Sequence, residues 1–407
     1  MKREGNRFLF AGNGAYTNRG CEAIVRGTAK ILKQSFGDVE ISNAFYDHGA
    51  GDYVPADLRS LIKNKVISIS SFKRFSVNWA IHRFLSSFFP GMLSERMFEQ
   101  LNDDVETCRA VLSLGGDNYS LDYGVPKKFI YLDKYVKRHK KPLVIWGASI
   151  GPFEKYPSIS RQIMKHLKDE VYAIFVREKR SFIYLKEHGI EKNVFLTSDP
   201  AFVMDATPCE NIVYERKLQD NAIGLNFSPL MAKYVTNGDM EAWIELAGEI
   251  LKGVRKNYDN PIVLVPHVTN PGNNDYEFMR VLLEAAKNIG DCYLLPGYLT
   301  APELKWFISK LDCLVAARTH ATIASFSSCI PTISMAYSTK AYGINSQILG
   351  NTDYVIDSHD LCVESVVDKI RMVFQNEKEI KDKLAVVIPK IQETAYQSGE
   401  LLRKILP

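Results

Sequence analysis

Short apolar runs alternate with longer amphipathic stretches along the whole chain, and that rhythm constrains its fold more than any other feature. The runs read as strands at Arg7–Ala11, Val39–Ala44, Val66–Ser70, Ala110–Leu114, Pro142–Trp146, Ala173–Arg177 and Val194–Thr197. Helical patterns lie between several of them, as at Glu22–Ser35, Lys127–His139 and Ser158–Leu167. The rhythm restarts at Ala222–Asn226 and continues through Pro261–Pro266, Cys292–Leu295, Cys313–Ala317 and Thr332–Met335. Apolar strands separated by helices predict parallel sheets built from right-handed βαβ units. A polar stretch, Asp205–Asn221, separates the two series. The expectation is an α/β protein of two doubly wound domains, 1–206 and 207–360, with helices over 361–407 packing back on them.

Composition supports a large core. Of 407 residues, 46% are hydrophobic and 24% charged, which excludes a disordered, collagenous or coiled-coil chain. Lys and Arg exceed Asp and Glu by 51 to 47, too thin a surplus for a nucleic-acid partner. The seven cysteines are widely spaced, with no C-x-x-C and no short Cys/His cluster, so zinc ribbons and thioredoxin-like chemistry lose their signature. Cysteines in apolar runs, such as Asp312-Cys-Leu-Val-Ala, suit reduced interior thiols. The apolar stretch Phe8-Leu-Phe-Ala is too short for a signal peptide, and no run reaches the roughly 20 residues of a membrane span. A soluble, cytoplasmic protein is expected. One region stands apart: Ser71–Leu101 interleaves Phe72, Phe75, Trp79, Phe84, Phe88, Phe89 and Phe98 with Lys73, Arg74, His82, Arg83 and Arg96. It reads either as helices packing aromatics into a core or dimer contact, or as an amphipathic peripheral membrane surface.

In open α/β sheets, ligands bind beyond the carboxyl ends of the strands, so polar and glycine residues there carry most weight. Gly12-Asn-Gly-Ala-Tyr-Thr-Asn-Arg-Gly-Cys-Glu-Ala links the first strand to the first helix. Its small residues either admit an anion to backbone amides or simply make a turn. It is not a dinucleotide fingerprint, because Thr17 stands where a third glycine is required. Leu114-Gly-Gly-Asp permits close backbone approach or a plain turn. Gly147-Ala-Ser-Ile-Gly151 has the form of a nucleophile elbow around Ser149, but Pro152 follows and the helical pattern resumes only near Ser158. Ser149 therefore reads as a ligand-contacting or structural turn.

Arg177 ends a strand, where its guanidinium could clamp an anion or pair with Glu178 or a neighbouring helix. His267 ends another strand, as a ligand contact or a capped histidine. The sharpest signal is Leu314-Val-Ala-Ala-Arg-Thr-His-Ala: in an extended segment, Arg318 and His320 share one face. An imidazole beside a guanidinium has its pKa lowered until an anion arrives to offset the like charge. Ser338 and Lys340 follow the Thr332–Met335 strand. The basic run Lys127–Lys141 rides a helix and reads as a solvated face. With no D-x-D, Walker A, H-E-x-x-H or EF-hand signature, the chemistry rests on Arg, His, Lys and glycine amides. That set suits a small, strongly anionic substrate handled without a cofactor or obligatory metal.

These segments, in this order, resemble the polysaccharide pyruvyl transferase family. The matching pieces are Asn18-Arg-Gly-Cys-Glu-Ala, Gly115-Gly, Ser149-Ile-Gly-Pro, Val176-Arg-Glu with Ser181, Asp199-Pro-Ala-Phe, Pro266-His267, Arg318-Thr-His-Ala, and Pro331 leading to Tyr337-Ser-Thr-Lys. Three positions depart from the family pattern. Cys21 stands where Asp is usual, Asp117 where a third glycine is common, and Thr319 replaces Leu. The resemblance implies a GT-B-like pair of Rossmann-like domains with the active site in a cleft. It implies phosphoenolpyruvate as donor and a saccharide acceptor, either polymeric or lipid-linked, the latter placing the protein at the inner face of the membrane with 71–101 as its contact. His320 becomes the general acid, with Arg318 and Arg177 on the donor's carboxylate or phosphate and His267, Ser338, Lys340 and Ser149 beside them. Gly14, Asn18, Glu22, Gly115, Gly116 and Asp117 fall to the acceptor or to backbone-amide contacts. The competing readings are a GT-B glycosyltransferase using a nucleotide sugar and a non-catalytic glycan-binding relative.

Overall fold

The computed structural model describes residues 5–46, 53–67, 96–121, 124–209, 221–286 and 289–407. Its strands form two parallel sheets. In the first, β1 (Asn6–Gly14), β2 (Val39–Tyr46), β3 (Lys63–Ile67), β4 (Ala110–Leu114), β5 (Leu143–Ala148), β6 (Ala173–Val176) and β7 (Val194–Leu196) lie in the order β3-β2-β1-β4-β5-β6-β7. Every pairing is parallel, with Phe8 opposite Ala110 and Leu114 opposite Trp146 fixing the register at the centre. β4, β5 and β6 are buried at every position, as unbroken apolar strands covered on both faces must be.

The connecting helices follow from sequence in the same way. α1 (Arg19–Phe36) opens where Asn18 Oδ1 accepts the Gly20 N–H at 3.0 Å, an N-cap that satisfies one unpaired amide. α2 (Lys127–Arg138) turns Phe129, Leu132 and Val136 inward and leaves Lys127, Lys134, Lys137 and Arg138 exposed, so the basic run is a solvated face. α3 (Pro157–Asp169) starts with proline in its first turn, where the missing N–H costs nothing. α4 (Lys179–Glu187) is capped by Glu178, which accepts from Ser181 N at 3.1 Å. Leu9, Val111, Ile145 and Ile174 of the sheet meet Leu132, Val136, Ile163, Leu167 and Leu185 of these helices in one core. Of the aromatic-basic region, 71–95 lie outside the described residues; Phe98 is fully buried in this same core.

The second sheet comprises β8 (Ala222–Asn226), β9 (Ile262–Leu264), β12 (Cys292–Leu294), β13 (Leu311–Ala316), β14 (Thr332–Ala336) and β15 (Val355–Asp357), in the order β12-β9-β8-β13-β14-β15. A two-residue hairpin, β10 (Thr269–Asn270) and β11 (Asn273–Asn274), stands outside it. Around the sheet lie α5 (Met240–Asn257), α6 (Asp275–Ala285), α7 (Ala301–Ile308), α8 (Thr319–Phe326), α9 (Thr339–Leu349), α10 (Val363–Gln375) and α11 (Glu377–Ile405). With the hairpin set aside, both sheets run third-second-first-fourth-fifth-sixth, the Rossmann order. The switch points fall between β1 and β4 and between β8 and β13. The protein is thus an α/β chain of two Rossmann-like, doubly wound domains.

Two compact units emerge from the contacts: Met1–Ala15, Thr28–Pro200 and Thr394–Pro407 in one, Tyr16–Gly27 and Ala201–Glu393 in the other. The division is less linear than a cut at 206. Tyr16–Gly27 joins the second unit because Thr17 and Arg19 share backbone hydrogen bonds with Thr269 and His267. The chain end joins the first, where Arg109 donates to the Pro407 carbonyl at 3.1 Å. β15 and the β10–β11 hairpin were not expected from sequence, and β3 starts at Lys63 rather than Val66. Short, mixed-polarity strands leave too few residues for an apolar run to register.

Candidate active site

In the second unit, the switch point is built on Asn226, the last residue of β8. Its amide Nδ2 donates to the Val265 carbonyl at 2.8 Å, and its Oδ1 accepts the Arg318 N–H at 2.8 Å. One buried side chain thereby fixes the ends of β8, β9 and β13. The segment does not stay extended beyond this point: Arg318 is the N-cap residue of α8, and the helix begins at Thr319. Arg318 and His320 therefore leave the shared strand face and reach different partners.

The Arg318 guanidinium turns to Asp275, the first residue of α6. Nη2 donates to Asp275 Oδ1 at 2.7 Å and to Asn273 Oδ1 at 2.7 Å, and Nε lies 3.2 Å from both carboxylate oxygens. Asp275 is fully buried, and its Oδ2 also accepts the backbone N–H groups of His267 and Val268 at 3.1 and 2.9 Å. His320, in the first turn of α8, lies against Gly20: a Cβ built there would stand 2.5 Å from His320 Nδ1. Gly20 is held in place because Arg19 N donates to the His267 carbonyl at 3.0 Å and Thr269 N to the Thr17 carbonyl at 2.8 Å.

Arg19 is 2% exposed and donates to the carbonyls of Tyr16 and Gly297, with Glu22 at 4.0 Å. Glu22 is fully buried and accepts from Arg26 at 2.8 Å and from Ala301 N at 3.0 Å. Burial pushes its carboxyl pKa up, and the two arginines and the Ala301 amide only partly offset this. His267, 3% exposed, is the hub. Its imidazole is held well below 6.5 by burial first, then by the positive fields of His320, Arg19 and Arg318. Two guanidiniums and a second imidazole thus converge on it. Asp275 answers Arg318, while Glu22 is shared between Arg19 and Arg26. Next along the sheet, Ser338 is the N-cap residue of α9, and Lys340 lies in that helix's first turn. Ser338 shares a narrow pocket with Ala317, Thr319, Thr322 and Tyr337, beside the N-terminal turn of α8.

The first unit holds a different cluster. Arg177, just past β6, donates from Nε to Ser149 Oγ at 2.9 Å, from Nη1 to Asp199 at 2.6 Å and from Nη2 to Asp117 at 2.8 Å. Its partners follow β5, β7 and β4, so one side chain ties four strand ends together. Glu178, the sequence-adjacent acid, instead caps α4. Burial opposes the Arg177 charge, but Asp117 and Asp199 overcome this and raise its pKa. Ser149 N donates to the Gly116 carbonyl at 2.8 Å. A side chain on Gly116 would run into the Arg177 guanidinium, and Gly115 has φ +135°, so both positions need glycine. Ser149 is no nucleophile elbow: its Oγ accepts from Arg177, and α3 starts only at Pro157.

The sequence profile described as Polysaccharide pyruvyl transferase matches residues 18–339, a span that takes in both clusters. The chain belongs to the polysaccharide pyruvyl transferase family. A relative in Erwinia amylovora, the amylovoran biosynthesis protein AmsJ, is 23% identical over 93% of this chain and 94% of its own length. Among solved structures, this pyruvyl transferase family member resembles the UDP-GlcNAc 2-epimerase of Neisseria meningitidis bound to UDP-GlcNAc, with TM-score 0.57, 12% identity and 98% of each chain covered. It also resembles Anabaena Alr3699/HepE in complex with UDP-glucose, with TM-score 0.56, 9% identity and 98% of each chain covered. At such identities the likeness concerns the fold, which is GT-B-like.

Within this family member, the residues expected from sequence separate into two groups. Arg318, His320, His267, Asn18 and Glu22 belong to the second unit, followed along its sheet by Ser338 and Lys340; Arg177, Ser149, Gly115, Gly116 and Asp117 assemble in the first, where Gly14 ends β1. Asn18 serves α1 as its cap, and Glu22 is enclosed by arginines. Sequence reading missed Arg19, Asn273, Asp275 and Asp199. Arg19 and Asp199 lie inside segments that carry the family likeness, beside residues that drew more attention; Asp275 and Asn273 had no such signal. Among the described residues, no three His, Cys, Asp or Glu side chains gather as a metal set, and no helix is long and apolar enough to cross a membrane.

Proposed function

We propose that this chain transfers the enolpyruvyl group of phosphoenolpyruvate onto two hydroxyls of a saccharide, giving a pyruvate ketal and phosphate. The observation that carries the reading is the gathering of Arg19, Arg318 and His320 around the buried His267. A trianionic donor is what such a buried, basic centre suits. The family is described by its action on polysaccharides, and the AmsJ relative is named for amylovoran biosynthesis, which supports a saccharide precursor as acceptor.

In this mechanism His320 protonates the donor's methylene carbon, creating an oxocarbenium-like centre. One sugar hydroxyl attacks the adjacent carbon, which bears the phosphate oxygen, and gives up its proton, which restores the acid. The C–O bond to phosphate then breaks, and the second hydroxyl closes the ring while its proton goes to the departing phosphate. Arg318 and Arg19 stabilise the negative charge of the donor's carboxylate and phosphate, and the N-terminal turns of α8 and α9, with Ser338 and Lys340, take the phosphate side. Arg177 and Ser149 are assigned to the acceptor side instead, because Asp117 and Asp199 already answer the Arg177 charge. No further cofactor is required.

A nucleotide-sugar donor is the second reading, favoured by the UDP-sugar complexes among the structural neighbours. Calorimetric titration of phosphoenolpyruvate and of UDP into wild type and Arg318→Ala separates the two. Saturable phosphoenolpyruvate binding that Arg318→Ala abolishes is expected; binding of UDP alone would overturn the pyruvyl reading.

A further inference from the structure

Asp275 is not among the site residues expected from sequence, yet it ties two parts of the basic centre together. Its carboxylate is fully buried. One oxygen takes the Arg318 Nη2–H at 2.7 Å, and the other takes the backbone N–H groups of His267 and Val268 at 3.1 and 2.9 Å. Nε of Arg318 lies 3.2 Å from both oxygens. The acid therefore joins the loop after β9, which presents His267, to the residue after β13 that presents Arg318. Asn273 supports the same guanidinium from the hairpin, at 2.7 Å.

An arginine has many rotamers, and its planar fork recognises an anion only in a fixed plane. Chelation by a buried carboxylate removes that freedom before any ligand arrives, which is how a positioning group strengthens binding it does not itself contact. We propose that Asp275 is a positioning residue of the donor site: it fixes the plane of the Arg318 guanidinium and locks that plane to His267. The inference rests on the pyruvyl reading, because the anion Arg318 is set to meet is phosphoenolpyruvate.

The test is a double-mutant cycle on phosphoenolpyruvate affinity, measured by calorimetry without added nucleotide. It uses wild type, Asp275→Asn, Arg318→Lys and the double variant, with a melting temperature for each. Asp275→Asn keeps the side-chain shape and loses the charge that holds the fork, so its affinity should fall by about 10-fold or more. In the Arg318→Lys background, where no fork remains to orient, the same change should cost less than about 2-fold. A purely structural acid would cost the same in both backgrounds, and that result would overturn the proposal, as would wild-type affinity in Asp275→Asn. Should Asp275→Asn fail to fold, Asn273→Ala decides: it removes one contact to the Arg318 guanidinium and leaves the buried acid in place. Weakening by about 3-fold or more supports positioning; unchanged affinity overturns it. Wild type that binds no phosphoenolpyruvate would overturn the donor reading itself, and this proposal with it. Failure of the positioning idea alone leaves wild-type binding intact.

Discussion

Each of the two sheets ends in a buried arginine gripped by carboxylates, and the resemblance stops there. Arg177 in the first unit meets two acids, Asp117 and Asp199. Arg318 in the second meets one acid, Asp275, and stands in a group with Arg19, His267 and His320. Identical strand order places both arginines beyond the carboxyl ends of their strands, so the fold accounts for their location and not for their chemistry. Charge does that. Around Arg177 two carboxylates hold the guanidinium as a tie between loops. Around His267 two guanidiniums and a second imidazole gather, and a centre of that kind suits an anion. On the proposal made above, the donor belongs to the second unit.

Removing the acid is the hardest blow to that assignment. His320→Ala should lower phosphate release from phosphoenolpyruvate in the presence of acceptor by about 10²–10⁴-fold, with the melting temperature held. Near-normal turnover would take the acid role away from the second unit. Arg177→Met should show the converse. It removes the guanidinium that pairs with both Asp117 and Asp199, at a cost of about 3–5 kcal/mol in unfolding free energy. Phosphoenolpyruvate affinity should stay within about 2-fold of wild type, because a tie between loops that does not touch the ligand adds little to its binding. Lost affinity at unchanged stability would reverse the comparison and move the donor to the first unit.

How much of this was legible in the sequence depends on the range of the interaction. The strands at Ala110–Leu114, Pro142–Trp146, Ala222–Asn226 and Cys313–Ala317 were readable because a strand buried on both faces must be apolar throughout. Arg318 and His320 were readable because polar groups just past such a strand are conspicuous. Their geometry was not: whether the chain stays extended or turns helical at Thr319 depends on Asn226, which captures the Arg318 amide from another strand. Arg19 was hidden for a stronger reason. It reaches the centre only because Thr17–Arg19 pairs with His267–Thr269, a contact across most of the chain that leaves no local pattern. Asp275 looks from sequence like one more acid in the first turn of a helix, where acids are common anyway.

Gly20 offers a gentler probe of the same centre. It lies in the first turn of α1 with His320 packed on its face, and alanine suits a helix better than glycine does. Gly20→Ala should lower the melting temperature modestly, because the added methyl group meets His320 as far back as Cβ, at 2.9 Å, and the better helix propensity of alanine offsets only part of that. The new methyl group, 2.5 Å from where His320 Nδ1 now stands, must displace the ring. A displacement of that order should lower turnover by about 10- to 100-fold. Activity lost well beyond the small loss of stability is the expected signature. Full activity would mean that the His320 ring position is not the one used in the reaction.

The smallest effect is a pH dependence of stability, and its sign follows from His267. The folded state holds this imidazole well below 6.5, through burial and then His320, Arg19 and Arg318, while Asp275 faces only its backbone. As pH drops below 6.5, the unfolded chain takes up a proton at this position that the folded chain refuses. Stability therefore falls with acidification across the window from 6.5 to the folded pKa, by at most about 1.4 kcal/mol per pH unit for one proton. Above 6.5 the contribution is constant. Glu22 and Asp133, carboxyls whose pKa burial raises, work in the opposite direction, so wild type alone will not display the term cleanly. His267→Gln removes the titrating group and leaves those acids in place. Denaturant unfolding of both proteins between pH 7.5 and 5.5 should show wild type losing stability relative to His267→Gln as the pH falls. Parallel curves would mean that His267 takes up its proton as readily in the folded as in the unfolded chain, and that burial and the neighbouring cations do not hold it neutral.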